Sequence, residues 1–321
     1  MQRSYKDQAH MVKNNELENH PVIKGYDFSK DFDFNEFIDS FSTTGFQATE
    51  FFKAVTILRE VVEKNVPLYL SFTGNAISSG LRDIISFLVK EKKVHALITT
   101  ASGIEEDIIK HLSSFKLGDF DVQGRSLFEH GVGRIGNIFV PNNRYLLLER
   151  FFNKLLEELY SENKIVTPSY LIKKIGERLG EGSYLFWASK NNISVFCPGI
   201  MDGALGDLVY FFKKRRKDFV IDVSSDHVSL VDDVLQQDVT SALILGGGIS
   251  KHYNLNAQIF REGFDYAIYL TTAYEFDGSD SGGNQEEAKT WAKIKLNAPT
   301  AKVRADFTLT FPLLVAASFK K

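Results

Sequence analysis

Short β-branched or aromatic runs recur along the chain, most ending in glycine, serine, threonine or aspartate, and amphipathic stretches of helical period separate them. Such runs read as strands and the stretches between them as crossover helices. The expected strands are PLYLSFTG (67–74), VHALITTA (94–101), SVFCPG (194–199), FVIDVSSD (219–226), SALILGGG (241–248) and YAIYLTTA (266–273). Helices are expected over 76–91, 104–115, 168–179, 228–237 and 251–262, with an N-terminal helix over 47–64 packed on the sheet. This alternation predicts an α/β fold, one doubly wound and mostly parallel sheet with helices on both faces. No internal repeat or low-complexity linker interrupts it.

Composition narrows the picture. At 321 residues and 44% hydrophobic content the chain can fill one large core. A formal net charge of −3 argues against a nucleic-acid surface, and 25% charged residues argues against disorder. Cys197 stands alone, which excludes an intrachain disulfide and a cysteine zinc site and fits a reducing cytoplasm. Residues 1–20 lack the apolar core of a signal peptide, and no run approaches the roughly 20 apolar residues of a membrane span. The expected organisation is a flexible polar segment over 1–20 followed by a single domain over 21–321.

Candidate chemistry lies in the loops after the expected strands: TGNAISSG, TTASGIEED, CPGIMDGALGD, SSDH, LGGGISKH and TTAYEFDGSDSGG. Ligands of open α/β sheets bind at the strands' carboxyl ends, and these loops carry the glycines, hydroxyls and carboxylates that suit a nucleotide. The fingerprints G-x-G-x-x-G and G-x-x-x-x-G-K-[ST] are both absent, and Gly246-Gly247-Gly248 alone equally suits a tight turn. Within EFDGSDSGG, Glu275, Asp277 and Asp280 place three carboxylates in six residues. They repel one another unless a cation comes between them. A solvated loop is the plain alternative; calcium-loop spacing is not met. Taken alone, Lys293 in WAKIK reads as a surface lysine. The run Lys213 to Lys217 reads as the cationic end of a helix beginning near Gly206, and Cys197 as a buried small residue.

Several segments together carry a resemblance: GYDF, TTGFQAT, ISSGLRDII, TTASGIEEDIIKHL, GRIGNIFVPN, TPSYLI, DGALGD, LGGGISKH, TAYEFDGSDSGG, TWAKIK and VRADFTLTFPLLVA. They run in unbroken order from about residue 25 to the C-terminus and resemble the deoxyhypusine synthase family. EFDGSDSG with W-x-K is the most specific part. The chain lacks an insertion carried by animal members, so it looks more like the compact, archaeal form. The resemblance implies a Rossmann-like NAD-binding fold and a cytoplasmic transferase acting in hypusine biosynthesis, a post-translational modification. It would use NAD to oxidise spermidine, release 1,3-diaminopropane, and pass the aminobutyl group through an enzyme-lysine imine. The acceptor would be a specific lysine of the translation initiation factor 5A precursor. A homotetramer with active sites shared between subunits is implied, with no metal.

By the same resemblance Lys293 is the covalent lysine and His252 the proton acceptor. A nucleophilic lysine needs its neutral amine, and imidazole titrates near working pH. Asp207, Asp280 and Glu287 match positions that bind the polyamine's amines, Trp291 lines its channel, and Asn256 and Glu106 contact substrate. For NAD the matching positions are Asn75, Ser78, Thr100, Ala101, Glu105, Asp202, Gly247, Thr272, Ala273, Asp277, Ala305 and Asp306. Carboxylates at a ribose favour NAD over NADP. Two departures fall in cofactor loops: LSFTGN where many members read LGYTSN, and TTASG where they read TTAGG. Two other readings stay open on the sequence. A homospermidine synthase would use putrescine as acceptor, and a catalytically silent regulatory paralogue would bind NAD only. Lys293, His252, Asp280 and Glu287 together weigh against the second.

Overall fold

Alternate residues of the central strands feed two separate hydrophobic cores, which is why those runs are apolar along their whole length. The computed structural model describes residues 19–319. Its strands, in chain order, are β1 (Leu68–Phe72), β2 (Ala96–Thr99), β3 (Lys116–Leu117), β4 (Val132–Ile135), β5 (Ile138–Pro141), β6 (Ile165–Val166), β7 (Ser194–Phe196), β8 (Val220–Ile221), β9 (Ser241–Leu245), β10 (Tyr266–Thr271) and β11 (Thr300–Arg304).

Six of them form a wholly parallel sheet in the order β11-β10-β9-β1-β2-β7. The chain moves outward from β1 to β2 and β7, then returns to the other side of β1 for β9, β10 and β11. The strand order therefore reverses between β1 and β9. A crevice opens at such a switch point, outside the carboxyl ends.

Leu68, Leu70, Phe72, Leu243, Leu245, Ile268 and Leu270 lie in one core, with helices Phe46–Glu63, Leu81–Lys90, Ala101–Leu112 and Phe307–Phe319 contributing to it. Tyr69, Ala242, Ile244, Ala267 and Tyr269 lie in the other, with Leu230 and Val234 of helix Val223–Leu235 and Leu255 of helix Gly248–Ala257. The doubly wound α/β reading holds. Two small sheets stand apart from it: antiparallel β3-β5-β4 and the parallel pair β6-β8.

Several expected elements are corrected. The strand expected over 219–226 shrinks to β8, which pairs with β6 outside the central sheet. Asp222 decides this: its carboxylate accepts the backbone N–H groups of Ser224 and Ser225 and caps helix Val223–Leu235. The SSDH loop is thus a helix start away from the switch point. β11 fills the sixth place in the sheet. The helix expected over 76–91 breaks at Ser79-Gly80 into Asn75–Ser78 and Leu81–Lys90. That over 104–115 spans Ala101–Leu112, that over 168–179 spans Pro168–Gly176, and that over 251–262 is Gly248–Ala257 followed by a 3-10 turn. The N-terminal helix is Phe46–Glu63, and the basic run closes helix Ala204–Arg215 as expected.

Helices Phe34–Thr44, Asn143–Glu162, Tyr184–Asn191 and Phe307–Phe319 were not anticipated. The last contains Pro312 and is apolar on nearly every side, so its helical period is invisible. Apart from Asn19 and His20, the flexible segment expected over 1–20 lies outside the described residues. No helix among the described residues is long and apolar enough to cross a membrane.

Candidate active site

The switch-point crevice begins with the triple glycine. Gly246 and Gly248 have φ of +83° and +63°, a left-handed backbone that side chains rarely adopt. A Cβ at Gly247 would stand 2.5 Å from the Cα of Ser281. Ser281 Oγ accepts the Gly248 N–H at 2.9 Å. The glycines therefore let the acidic loop dock onto the start of helix Gly248–Ala257. Beside Gly248 the crevice is open, with no heavy atom within 4 Å of where a Cβ would stand.

The acidic loop divides its carboxylates among different duties. Glu275 receives Lys302 at 3.2 Å and Arg304, and its own backbone N–H together with Arg304 holds its carboxyl down to about 2. Asp277 closes a local turn by accepting the Ser279 N–H at 2.8 Å. Asp280 Oδ1 lies 2.9 Å from His252 Nδ1, while Asp280 Oδ2 is buried without a hydrogen-bond partner. The cation expected between the carboxylates is thus, for Glu275, supplied by the chain itself. Only Asp280 keeps a buried oxygen unpaired.

Asp280 also lines a narrow cleft together with Lys251, Tyr269, Glu287, Trp291 and Lys293. Glu287 lies on the short helix Gln285–Thr290 and Trp291 directly follows it, with Asn284 as cap, accepting the Glu287 N–H at 2.9 Å. Ala292 is left-handed at φ +54°, and the turn it makes returns the Lys293 N–H to the Ala288 carbonyl at 3.0 Å. Among the described residues no hydrogen bond or ion pair holds the Lys293 side chain. Lys251 is the opposite case. It is 3% exposed, donates to the carbonyls of Asp280 and Gly283, and lies 4.9 Å from the Tyr269 ring centroid. Burial pushes its ammonium down to about 8.

A second cluster gathers at the ends of β1, β2 and β7. Buried Ser78 donates to Glu106, whose carboxyl is pushed up to about 7, chiefly by desolvation. Glu105 accepts the Leu205 N–H at 3.0 Å and is also raised by burial, with Asp207 and Asp202 adding like charge. Thr100 and Ser102 share a hydroxyl pair at 2.9 Å, Ala101 is buried, and Asn75 bonds Thr73. A Cβ at Gly74 would stand 1.8 Å from Ser102 Oγ. The two sequence departures are therefore one feature: Ser102 fills the space that Gly74 leaves.

The remaining expected residues fall at neighbouring strand ends. Thr272 and Ala273 follow β10; Ala305 and Asp306 follow β11, where Asp306 accepts the Thr308 N–H at 2.7 Å. Asn256 is half-buried on the same helix as His252. Asp202 and Asp207 are exposed near Glu105, and among the described residues no hydrogen bond or ion pair joins their cluster to the Asp280 cleft. Sequence reasoning missed Lys251, Tyr269, Lys302 and Arg304. The available signal was helical spacing: Lys251 shares a buried stripe with Asn254, Leu255 and Gln258.

Comparison with known proteins places this geometry. The profile of the family described as "DS: Deoxyhypusine synthase" matches residues 36–318. A protein of Methanocaldococcus jannaschii named "Probable deoxyhypusine synthase" is 45% identical, the match covering 86% of this chain and 89% of that one. The "Deoxyhypusine synthase" of Musa acuminata is 41% identical over 94% of this chain and 88% of its own. A crystal structure assigned to a deoxyhypusine synthase of Entamoeba histolytica superposes with a TM-score of 0.68 at 25% identity, covering 92% of this chain and 96% of that one.

Proposed function

Because the chain belongs to the deoxyhypusine synthase family, whose members are aminobutyl transferases, we propose that the Asp280 cleft is where its spermidine reacts. The reaction moves the aminobutyl group of spermidine to a protein lysine and releases 1,3-diaminopropane. The observation that carries the assignment to this cleft is that Asp280, one of whose carboxylate oxygens is buried with no partner, lines it together with Glu287, Trp291 and an unbound lysine. A buried charge of this kind needs a counter-ion, and a polyamine brings several ammonium groups.

Each residue then has a duty. Asp280 and Glu287 bind amines, with Asp207 reaching the polyamine from the second cluster or from a neighbouring subunit, and Asn256 and Glu106 adding contacts. Trp291 offers its ring face to a cation and its edge to methylenes. His252, oriented through Nδ1 by Asp280, takes the proton released as the carbon next to the secondary amine is oxidised to an imine. The neutral amine of Lys293 adds to that imine carbon and expels 1,3-diaminopropane, which leaves the aminobutyl group as an imine on Lys293. The acceptor lysine repeats the exchange and frees Lys293.

Bound NAD would supply the hydride acceptor that this oxidation needs and the hydride donor for the closing reduction. The residues fit a dinucleotide: a Cβ at Gly248 would stand in open space, Thr272 and Ala273 are accessible after β10, and the hydroxyls of Ser78 and Thr100 follow β1 and β2. Asn75, Ser78, Thr100, Thr272, Ala305 and Asp306 would hold it, and the carboxylates Glu105, Asp202 and Asp277 suit ribose hydroxyls. The acceptor in this reading is the translation initiation factor 5A precursor.

Assembly belongs to the same reading. Phe276 is 93% exposed, Leu296 75% and Trp291 64%, a large apolar area on the segments that carry the cleft. A homotetramer would cover it, and a monomer mass in sedimentation would overturn this part. The chemistry is tested by transfer of label from radiolabelled spermidine, with NAD present, to the factor precursor or to putrescine. Label reaching the precursor with wild type and not with Lys293→Ala is expected. Label reaching putrescine alone would make the protein a homospermidine synthase.

A further inference from the structure

We propose that Lys251 is the positioning residue of the polyamine cleft: its ammonium clamps the carbonyls of Asp280 and Gly283 and so aims Asp280 and the segment bearing Glu287 and Trp291 at the substrate. This rests on the reading of the cleft as a polyamine site and adds to it a second lysine with a different duty.

Lys251 and His252 are neighbours on helix Gly248–Ala257, about 100° apart around its axis. His252 is exposed and meets the carboxylate of Asp280; Lys251 is buried and meets the backbone of the same residue. One aspartate is therefore gripped at both ends by consecutive residues. The Lys251 ammonium has three N–H groups, and two carbonyls and the face of Tyr269 account for them. An amine so occupied has no lone pair to offer. Of the two lysines in the cleft, Lys293 reacts and Lys251 holds.

A matching grip comes from the other side. Lys302 on β11, also buried, donates to the Gly282 carbonyl at 2.5 Å and to Glu275 at 3.2 Å. Carbonyls 280, 282 and 283 are thus all bonded to buried ammonium groups. Residues 278–284 have no regular secondary structure, so side-chain donors do what a helix or sheet ladder would do elsewhere. Burying an ammonium is unfavourable unless such partners compensate, which marks the clamp as costly to keep and useful where it stands. Without it the Asp280 carbonyl keeps only the Gly283 N–H at 3.2 Å, and the loop that presents the Asp280 carboxylate loosens.

The test is a comparison of wild type, Lys251→Met and Lys251→Arg by calorimetric titration with spermidine in the presence of NAD, by steady-state kinetics, and by thermal unfolding. Met keeps the stem and removes the donors; Arg restores donors for two carbonyls. The clamp predicts that Lys251→Met raises the spermidine KM at least tenfold while NAD affinity stays within twofold, and that Lys251→Arg recovers part of the loss. An unchanged spermidine KM in Lys251→Met would overturn it, as would a fall in kcat alone. Should Lys251→Met fail to fold, Lys251→Gln, too short to reach both carbonyls, decides by the same split: a raised spermidine KM supports the clamp and a KM equal to wild type refutes it. Wild type that shows no saturable spermidine binding would instead overturn the polyamine reading, and the clamp with it.

Discussion

Glu106 shows how burial alone can set the chemistry of a side chain. Its carboxyl is 6% exposed, accepts one hydroxyl from Ser78, and is raised from 4.5 to about 7. A buried acid whose folded pKa exceeds its unfolded one stabilises the fold fully below the unfolded value, and that contribution is lost as pH rises through the folded value. The window here is pH 4.5 to about 7. Glu106→Gln removes the ionisation and keeps an acceptor for Ser78. We expect it to match wild type in urea unfolding at pH 4 and to exceed it by up to roughly 3 kcal/mol at pH 8, the scale of a shift of this size. Equal stability at both pH values would show that Glu106 ionises without penalty.

At the scale of elements, the fit between turns governs what each loop can carry. The β1 turn and the start of helix Ala101–Leu112 meet where Gly74 faces Ser102. A Cβ added at 74 would also come within 2.5 Å of the Ser102 Cβ, so rotating the Ser102 hydroxyl away does not relieve the overlap. Gly74→Ser is expected to lower stability by about 1–3 kcal/mol, the usual cost of overpacking, and to weaken NAD binding. Gly74→Ser with Ser102→Gly should recover both. Additive losses in thermal unfolding and NAD titration would break the link between the two positions. The acidic loop obeys the same logic: its place depends on the glycines of another turn and on lysines from another helix and strand.

Across the whole molecule, one buried ion pair ties three helices on a single face of the sheet. Arg82 Nε donates to Asp107 Oδ1 at 2.6 Å, and Asp107 Oδ2 accepts Ser183 Oγ at 2.5 Å and the Leu185 N–H at 3.3 Å. The pair links helices Leu81–Lys90 and Ala101–Leu112, with Ser183 capping Tyr184–Asn191. Asp107→Ala leaves the Arg82 guanidinium buried and unpaired, which costs about 3–5 kcal/mol. Adding Arg82→Met should return most of it, measured by denaturant unfolding. A loss below about 1 kcal/mol for Asp107→Ala would show that water reaches the pair.

What could be read in the chain follows from the range of each interaction. Apolar runs such as SALILGGG and YAIYLTTA announce buried parallel strands because neighbouring residues alone determine their pattern. The roles expected of Lys293, His252, Asp280 and Glu287 came only from the family resemblance of their motifs; taken alone, Lys293 reads as a surface lysine. FVIDVSSD misled because the Asp222 cap is a local hydrogen-bonding choice that outweighs strand propensity. The partners of each charge were not legible at all. Lys302 and Arg304 come to Glu275 from 27 and 29 residues away, and Lys251 to Gly283 from 32. Which carboxylate oxygen stays unpaired depends on those long-range pairings, and only the folded sheet brings them within bonding distance.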